Sequence, residues 1–299
     1  MSFLWFLEGL RTPVMNVIME GITWLGQETV LLPLICLFYW CIDKNFAYVL
    51  GFSSFTSGLL VQTLKITFRI PRPWVLDPGF SPVESSVAHA TGYSFPSGHT
   101  QSATSLFYPL SKNAKNRLWS LLSVLAFLLV GFSRMYLGCH TPKDVLVSML
   151  LSLVISALIW KYQHLFTESS RFLKPIALVL CGVAVFTAVY ALLLYGNGTI
   201  EKKYALDCCK AAGAGIGFAV GWYLERTRLH LDPRSSSKSR RAVLFFLGLA
   251  LTLALKLTFS LLFGQSILAN ILKYFILVLW VLFLYPYLFH FKFTRRTTK

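Results

Sequence analysis

Three short blocks of the chain contain the residue types that phosphate chemistry requires. Residues 65–73 hold three cations and two prolines, 96–99 read Pro-Ser-Gly-His, and 133–144 hold Ser-Arg, a histidine and an aspartate. Cations and backbone amides can bind a phosphate dianion while one imidazole attacks phosphorus and another protonates the leaving group. Ionisable groups are costly in or beside a bilayer, so their clustering in an apolar chain indicates a functional site.

In the first block, Lys65 and Arg72 lie where an apolar segment ends at two prolines. The lysine supplies a mobile point charge, and the arginine supplies a planar fork that can hold two phosphate oxygens. Both side chains could instead extend to the membrane surface, as long cationic side chains commonly do. Arg69 lies outside the pattern, and extension to the surface explains it.

In the second block, Ser97 and Gly98 open a predicted helix. Free N–H groups at a helix start favour anions, and a glycine lets the backbone approach phosphate oxygens closely. Ser97 can donate its hydroxyl to phosphate or cap the helix, and the two roles are compatible. His99 follows directly, and its alternative is an ordinary interfacial histidine.

In the third block, Arg134 ends one apolar segment and Thr141 precedes the next. Asp144 stands three residues after Thr141, in the pattern of a capping box, with Pro142 in the first turn. Capping alone would account for Asp144. The alternative is that its carboxylate also hydrogen-bonds His140 and fixes its tautomer, as carboxylates do in catalytic triads.

The order and spacing of these blocks resembles the type-2 phosphatidic acid phosphatase family, which shares its phosphatase site with vanadium haloperoxidases and glucose-6-phosphatase. All eleven positions of Lys-x6-Arg-Pro, Pro-Ser-Gly-His and Ser-Arg-x5-His-x3-Asp match in that order. The resemblance implies that His140 is the nucleophile, that His99 protonates the leaving alkoxide, and that Asp144 supports His140. It also implies a phosphate-binding set, formed by Lys65, Arg72, Ser97, Gly98 and Arg134.

The same resemblance implies hydrolysis of a lipid phosphate monoester or diphosphate through a phosphohistidine, with no metal or other cofactor. One alternative is a phosphotransferase that passes the phosphate to a lipid or sugar acceptor. Another is a transporter, suggested by charged residues within the C-terminal apolar segments. A haloperoxidase is disfavoured because those relatives are soluble and use vanadate.

Composition predicts an all-α integral membrane protein, because 56% of residues are hydrophobic and only 13% are charged, against roughly 25% charged in soluble domains. Residues 3–26 either lie at the membrane interface or span it against other helices. Nine segments are candidates for spanning helices, at 29–43, 46–66, 98–112, 117–135, 143–160, 172–195, 205–224, 243–263 and 267–291.

We therefore expect a single membrane domain over 1–299. A six-helix phosphatase core with the three blocks occupies 1–163, about four additional transmembrane helices occupy 172–291, and a basic cytoplasmic loop lies at 225–242. Glycines 213, 217 and 221 are four residues apart, which predicts a close helix-packing face toward this chain or another subunit.

Charge distribution predicts the orientation of the site. When the segments alternate, most of the 28 lysines and arginines fall on one face, which the positive-inside rule places in the cytoplasm. The three blocks then face away from the cytoplasm, and the C-terminus is cytoplasmic. The net charge of +16 thus reflects topology rather than a nucleic-acid partner. The expected partners are a lipid phosphate and the bilayer, and the oligomeric state stays open.

Two further groups of residues are candidates for function. The loop 74–95 joins the first two blocks and must lie over the site, so it is a candidate lid or selectivity element. Its possible substrate contacts are Glu84, His89 and Tyr93, with a solvated loop as the alternative. Within the C-terminal segments, Asp207 can neutralise Lys210. Lys256 and Lys273 lie deeper in apolar runs and are paired, extended to the surface or functional.

Overall fold

The computed structural model describes residues 1–88, 90–235, 237–264 and 266–288, and every regular element in these ranges is helical. The all-helical class predicted from the sequence is confirmed. Three π-helical turns, Phe38–Ile42, Glu225–Leu229 and Trp280–Leu284, continue longer helices, and Pro233–Ser235 form a short 3-10 helix. The α-helices are α1 (Ser2–Gly9), α2 (Pro13–Trp24), α3 (Glu28–Leu37), α4 (Lys44–Phe68), α5 (Pro73–Leu76), α6 (Glu84–Val87), α7 (Gly98–Asn113), α8 (Arg117–Tyr136), α9 (Pro142–Lys161), α10 (His164–Thr167), α11 (Leu173–Gly196), α12 (Lys202–Leu224), α13 (Lys238–Phe263) and α14 (Ile267–Leu279).

The helices form two compact units. The first comprises the described residues of Met1–Leu32 and Thr56–Lys161, and the second comprises Pro33–Phe55 and the described residues from Tyr162 onwards. All three sequence blocks therefore lie in the first unit. The predicted single membrane domain, with a phosphatase core that ends at 163, stays a prediction.

Six of the described helical segments are long and apolar enough to cross a membrane, and α2 with α3 would add a seventh if that pair, bent by 41°, forms one span. Their number and length are those of a multi-pass membrane protein. The six segments are Lys44–Leu76, Arg117–Tyr136, Pro142–Lys161, Leu173–Gly196, Lys238–Leu262 and Ile267–Leu288.

The predicted span 29–43 falls in the bent pair. Two other predicted spans, 98–112 and 205–224, form helices that are not among these six. Helix α7 has only 16 residues and many hydroxyl side chains, and α12 carries several charged residues in its first half. Both helices are largely buried by their neighbours. A helix that faces other helices rather than lipid does not need an apolar surface all round.

The N-terminal segment 3–26 is two short helices rather than one. Thr12 caps α2, because its side chain accepts a hydrogen bond from the Met15 N–H at 3.3 Å, and Pro13 occupies the first turn. Both α1 and α2 pack against α8. At Gly26, after α2, a Cβ would lie 2.6 Å from the His99 carbonyl oxygen, so glycine allows the chain to approach the start of α7.

Sharp turns follow the helices that lead into the first and third blocks. Helix α4 ends at Phe68, Arg69 adopts a left-handed φ of 50°, and prolines follow. Between α8 and α9, Gly138 has a φ of +77°, and a Cβ there would lie 2.8 Å from Arg11 Nη2. Only residues 137–141 join α8 to α9, so His140 lies at the end that both helices share.

In the second unit, α12 packs against α11 and α14. A Cβ at Gly213 would lie 2.3 Å from the Ile271 carbonyl oxygen, and one at Gly217 would lie 2.6 Å from that of Phe275. The glycine face predicted from the sequence therefore packs on α14 of the same chain, and not on another subunit.

The predicted cytoplasmic loop 225–242 is shorter than expected. Residues Glu225–Leu229 continue α12 as a π-helical turn, with Glu225 and Leu229 buried, and α13 already begins at Lys238. The positive charge of this stretch suggested a solvated loop, but its first carboxylate is held inside the protein.

Candidate active site

His140 lies in the turn between α8 and α9 and is 1% exposed. Its Nε2 atom is 2.9 Å from Nη1 of Arg72. An arginine stays protonated in proteins and can only donate, so Nε2 accepts this hydrogen bond. The proton of the neutral imidazole is then on Nδ1, which we assign from this contact.

Asp144 lies in the first turn of α9, with its Oδ2 atom 3.7 Å from His140 Nδ1. That separation exceeds a hydrogen bond. The same oxygen accepts hydrogen bonds from Ser94 Oγ at 2.6 Å and from the Thr141 N–H at 2.8 Å. The capping contact that the sequence predicted is therefore present, whereas the predicted hydrogen bond between Asp144 and His140 is not formed in this structure.

Lys65 and Arg72 are buried and are positioned by backbone carbonyls. Lys65 Nζ donates to the Tyr93 carbonyl at 2.6 Å. Arg72 donates from Nε to the Gly92 carbonyl at 2.8 Å and from Nη1 to the Cys139 carbonyl at 2.9 Å. Both side chains are thus enclosed by protein, whereas Arg69 is exposed. The exposure of Arg69 agrees with the extension to the surface that the sequence predicted.

Arg134, at the end of α8, is the most enclosed cation of the site, at 1% exposed. Its Nη1 atom donates to Thr23 Oγ1 at 3.1 Å. Its Nε and Nη2 atoms are buried without a hydrogen-bond partner among the described residues. A buried guanidinium in which two nitrogens lack an acceptor is suited to bind an anionic oxygen ligand.

The start of α7 is fixed firmly to α9. The Ser97 N–H donates to the Asp144 carbonyl at 3.1 Å, and Ser148 Oγ donates to the Ser97 carbonyl at 2.6 Å. Ser97 Oγ accepts from the Thr100 N–H, which confirms the predicted N-cap. A Cβ at Gly98 would meet no heavy atom within 4 Å, so the helix start is open there. His99 follows and is partly exposed.

The local field keeps His140 neutral. Burial, and then the positive charges of Arg72, Arg134 and Lys65, hold the pKa of His140 well below its ordinary value. Below neutral pH the imidazole therefore still carries a lone pair, which is the form a nucleophile requires.

Some residues of the candidate substrate loop 74–95 contact the site or the N-terminal segment. Tyr93 enters the site through its carbonyl, and Glu84 is exposed at the start of α6. His89 lies outside the described residues. Helix α1 and the residues that follow it bind this loop, because Trp5 Nε1 donates to Asp77 Oδ2 at 2.9 Å and Arg11 donates to the Ser81 carbonyl.

Sequence reasoning missed three residues that support the site. They are Thr23, which holds Arg134, Ser94, which holds Asp144, and Ser148, which holds the start of α7. Serine and threonine are common in membrane helices, so no sequence signal marked these positions. Among the described residues, no group of three His, Cys, Asp and Glu side chains is arranged to hold a metal ion.

Comparison with known proteins gives two family matches. Residues 46–168 match the PAP2 superfamily, and 209–296 match the transmembrane extension of PAP2 superfamily phosphatases. The chain is 30% identical over 162 residues to phosphatidylglycerophosphatase B of Bacillus subtilis (strain 168), with 50% of this chain and 76% of that protein covered.

Two further relatives are similar over other shares of the chain. Undecaprenyl-diphosphatase BcrC of Bacillus subtilis (strain 168) is 33% identical over 110 residues, with 36% of this chain and 54% of the relative covered. Sphingosine-1-phosphate phosphatase 2 of Mus musculus is 26% identical over 212 residues, with 67% of this chain and 56% of the relative covered. The chain belongs to the PAP2 superfamily, and it is a multi-pass membrane lipid phosphatase. The family predicted from the three blocks is confirmed.

Proposed function

We propose that this phosphatase acts by two displacements at phosphorus, with His140 as the nucleophile. The observation that carries this proposal is the buried, neutral imidazole whose Nε2 lies 2.9 Å from the Arg72 guanidinium. A phosphate oxygen that takes over the hydrogen bond from Arg72 would bring phosphorus beside Nε2. The lone pair of Nε2 is freed in the same exchange.

In the first displacement, Nε2 of His140 bonds to phosphorus and the bond from phosphorus to the lipid oxygen breaks. His99 gives its proton to the departing alkoxide. Lys65, Arg72 and Arg134 oppose the negative charge on the phosphoryl oxygens, usually the largest contribution to such catalysis. The positive charge that forms on the imidazole is stabilised by Asp144.

In the second displacement, water attacks phosphorus while His99 accepts a proton from it. The N–P bond breaks, inorganic phosphate leaves, and both histidines return to their starting protonation states. No step requires a metal ion, because the three cations and the two imidazoles supply the charge and the protons.

The substrate we propose is the phosphate monoester or diphosphate of a lipid, as the names of the relatives indicate. Phosphatidic acid, phosphatidylglycerol phosphate, a polyprenyl diphosphate and a sphingoid-base phosphate all carry the same phosphoryl group. The test is phosphate release from this panel and from glucose 6-phosphate, by the purified full-length protein in detergent with EDTA.

Two variants accompany the panel, His140→Ala and the matched control His164→Ala, which changes an exposed histidine. We expect release that survives EDTA, is lost in His140→Ala and is retained in His164→Ala. Loss of release in EDTA would contradict the metal-free mechanism. Loss of substrate without equal release of phosphate, with a candidate acceptor present, would identify a phosphotransferase.

We also propose that the site faces away from the cytoplasm, from the distribution of lysine and arginine between the connecting segments. Cysteines introduced by Glu84→Cys and Lys238→Cys, at exposed positions on opposite predicted faces, test this in intact cells. A membrane-impermeant maleimide should label the first and spare the second, with the unsubstituted protein as background. The reverse pattern would overturn the orientation.

A further inference from the structure

Three lysines of the second unit lie inside apolar helices and have no part in the phosphatase chemistry. Lys210 is on α12, Lys256 on α13 and Lys273 on α14. Each lies six to eight residues from the nearer end of its helix, or about 9–12 Å along the axis. A charged side chain at such a depth is costly in a bilayer unless something compensates it.

The three side chains are near one another. Lys273 is 8% exposed, and its Nζ donates to Ser260 Oγ, on α13, at 3.3 Å. Lys210 Nζ lies 3.0 Å from Asp207 Oδ1. The charges of Lys210 and Lys256 are close enough to repel that of Lys273. The helices therefore hold like charges together.

Charge within the cluster is not balanced. The sequences of α12, α13 and α14 contain a single acidic residue, Asp207, and it pairs with Lys210. Three ammonium groups thus share one carboxylate. Like charges that are close enough to interact repel one another in a medium of low dielectric constant, and a bound anion would offset that repulsion.

The cluster is open toward lipid. Lys256 and Ser260 are exposed on α13, a helix with only 6% of its apolar window buried in the protein. Helix α13 has 26 residues and is about 39 Å long, so its ends extend beyond a hydrocarbon core of about 30 Å. A lysine at this depth can extend its ammonium group to the level of the lipid phosphates.

We propose that Lys210, Lys256 and Lys273 form a second anion site, which binds the phosphate group of an anionic phospholipid. The lipid lies in the leaflet at which α12 and α14 begin. Lys256 and Lys273 contact the phosphate directly, and Lys210 lies beside them in its ion pair with Asp207. Inorganic phosphate offers the same chemistry, but the exposure of the cluster on the lipid side of α13 favours the lipid.

The test measures lipid binding to the full-length protein in detergent, by native mass spectrometry and by the shift in melting temperature. The probe is phosphatidylglycerol, with phosphatidylcholine and inorganic phosphate as comparisons. All measurements use the His140→Ala background, which cannot turn over a lipid phosphate by the proposed route. The result is therefore independent of the proposed function.

Lys256→Met with Lys273→Met should weaken phosphatidylglycerol binding at least about tenfold, relative to Lys238→Met at the other end of α13. Asp207→Asn should tighten it, because it removes the carboxylate that competes with the lipid. Equal affinity in the double variant and in the Lys238→Met control would overturn the proposal.

Phosphatidylcholine and inorganic phosphate, the two comparison ligands, also test the proposal. Phosphatidylcholine that binds as tightly as phosphatidylglycerol would show that charge is irrelevant, and inorganic phosphate that protects equally at the same concentration would refute the lipid assignment. If the double lysine variant does not fold, Asp207→Asn still decides, since unchanged or weaker binding there contradicts the site.

Discussion

Two fully buried charges, one in each unit, have very different surroundings. Glu225, in the second unit, is 0% exposed and accepts hydrogen bonds from Lys44 Nζ at 2.8 Å, from the Tyr48 hydroxyl and from the Leu231 N–H at 2.6 Å. Arg134, in the first unit, is 1% exposed. One hydroxyl holds Arg134, and two of its nitrogens have no hydrogen-bond partner among the described residues.

The difference indicates what each charge is for. A buried charge that is paired and fully hydrogen-bonded contributes to the fold, whereas one with unused donors is destabilising until a ligand completes it. Functional sites commonly reduce stability in this way. Arg134 therefore suits a phosphate ligand, and Glu225 with Lys44 suits a structural role.

Arg134→Met gives the largest expected effect on activity. It removes a donor to the phosphoryl oxygens, so kcat/KM should fall by about 10²–10³-fold. The melting temperature in detergent should stay the same or rise, because a buried charge with unused donors is removed. Arg69→Met, at an exposed arginine, is the control and should change neither quantity. A large loss of stability with activity retained would reverse the assignment.

Lys44→Met tests the structural role of the buried pair formed by Glu225 and Lys44. It leaves Glu225 buried without its cation, which should cost about 3–5 kcal/mol of stability and lower the melting temperature clearly. Adding Glu225→Gln to Lys44→Met should recover much of that loss, since no charge is then left buried. If the double variant is no more stable than the single one, the pair is not the stabilising feature we infer.

Gly98→Ala separates stability from phosphate approach. The added Cβ meets no heavy atom within 4 Å, so the protein should be as stable as before, or more stable by up to about 1 kcal/mol from helix propensity. If phosphate oxygens approach this backbone, kcat/KM should fall at least about tenfold. Gly182→Ala, also at an open position, is the control for helix propensity. Full activity in Gly98→Ala would remove Gly98 from the binding set.

The pH dependence gives the smallest expected effect. Burial first, and then nearby cations that include Lys65, hold the pKa of His140 below its ordinary value. His140 must be neutral to attack, so the acid limb of kcat/KM should lie at low pH. Lys65→Met removes one repelling charge, which raises the pKa and moves the acid limb to higher pH. A shift toward lower pH would contradict the assignment of that limb to His140.

Local patterns explain what the sequence could predict. The helix starts at Ser97 and at Thr141 with Asp144 follow from capping rules, and the apolar runs place the long helices within a few residues. These signals need only neighbours along the chain. The sequence also predicts that Lys65 and His140 act together, because ionisable residues cluster in three blocks of an apolar chain and the blocks resemble the family. The structure brings both residues into the first unit.

Tertiary contacts explain what the sequence did not predict. The carbonyls of Gly92 and Tyr93 orient two cations, and a backbone oxygen has no sequence signal. Glu225 stands at the start of a basic stretch, a pattern that predicts a solvated loop, but folding buries it against Lys44. Helix α12 carries charges, which argue against a span that faces lipid. It can carry them because neighbouring helices cover it.

The central claim is that His140 carries the phosphoryl group between the two displacements. The most direct measurement quenches turnover at alkaline pH, with the lipid of the panel that releases most phosphate, and locates protein-bound phosphate by peptide mass spectrometry. We predict phosphate on His140 of the wild-type protein and none in His140→Ala. Turnover with no protein-bound phosphate at any quench time, or phosphate on a different residue, would contradict the account.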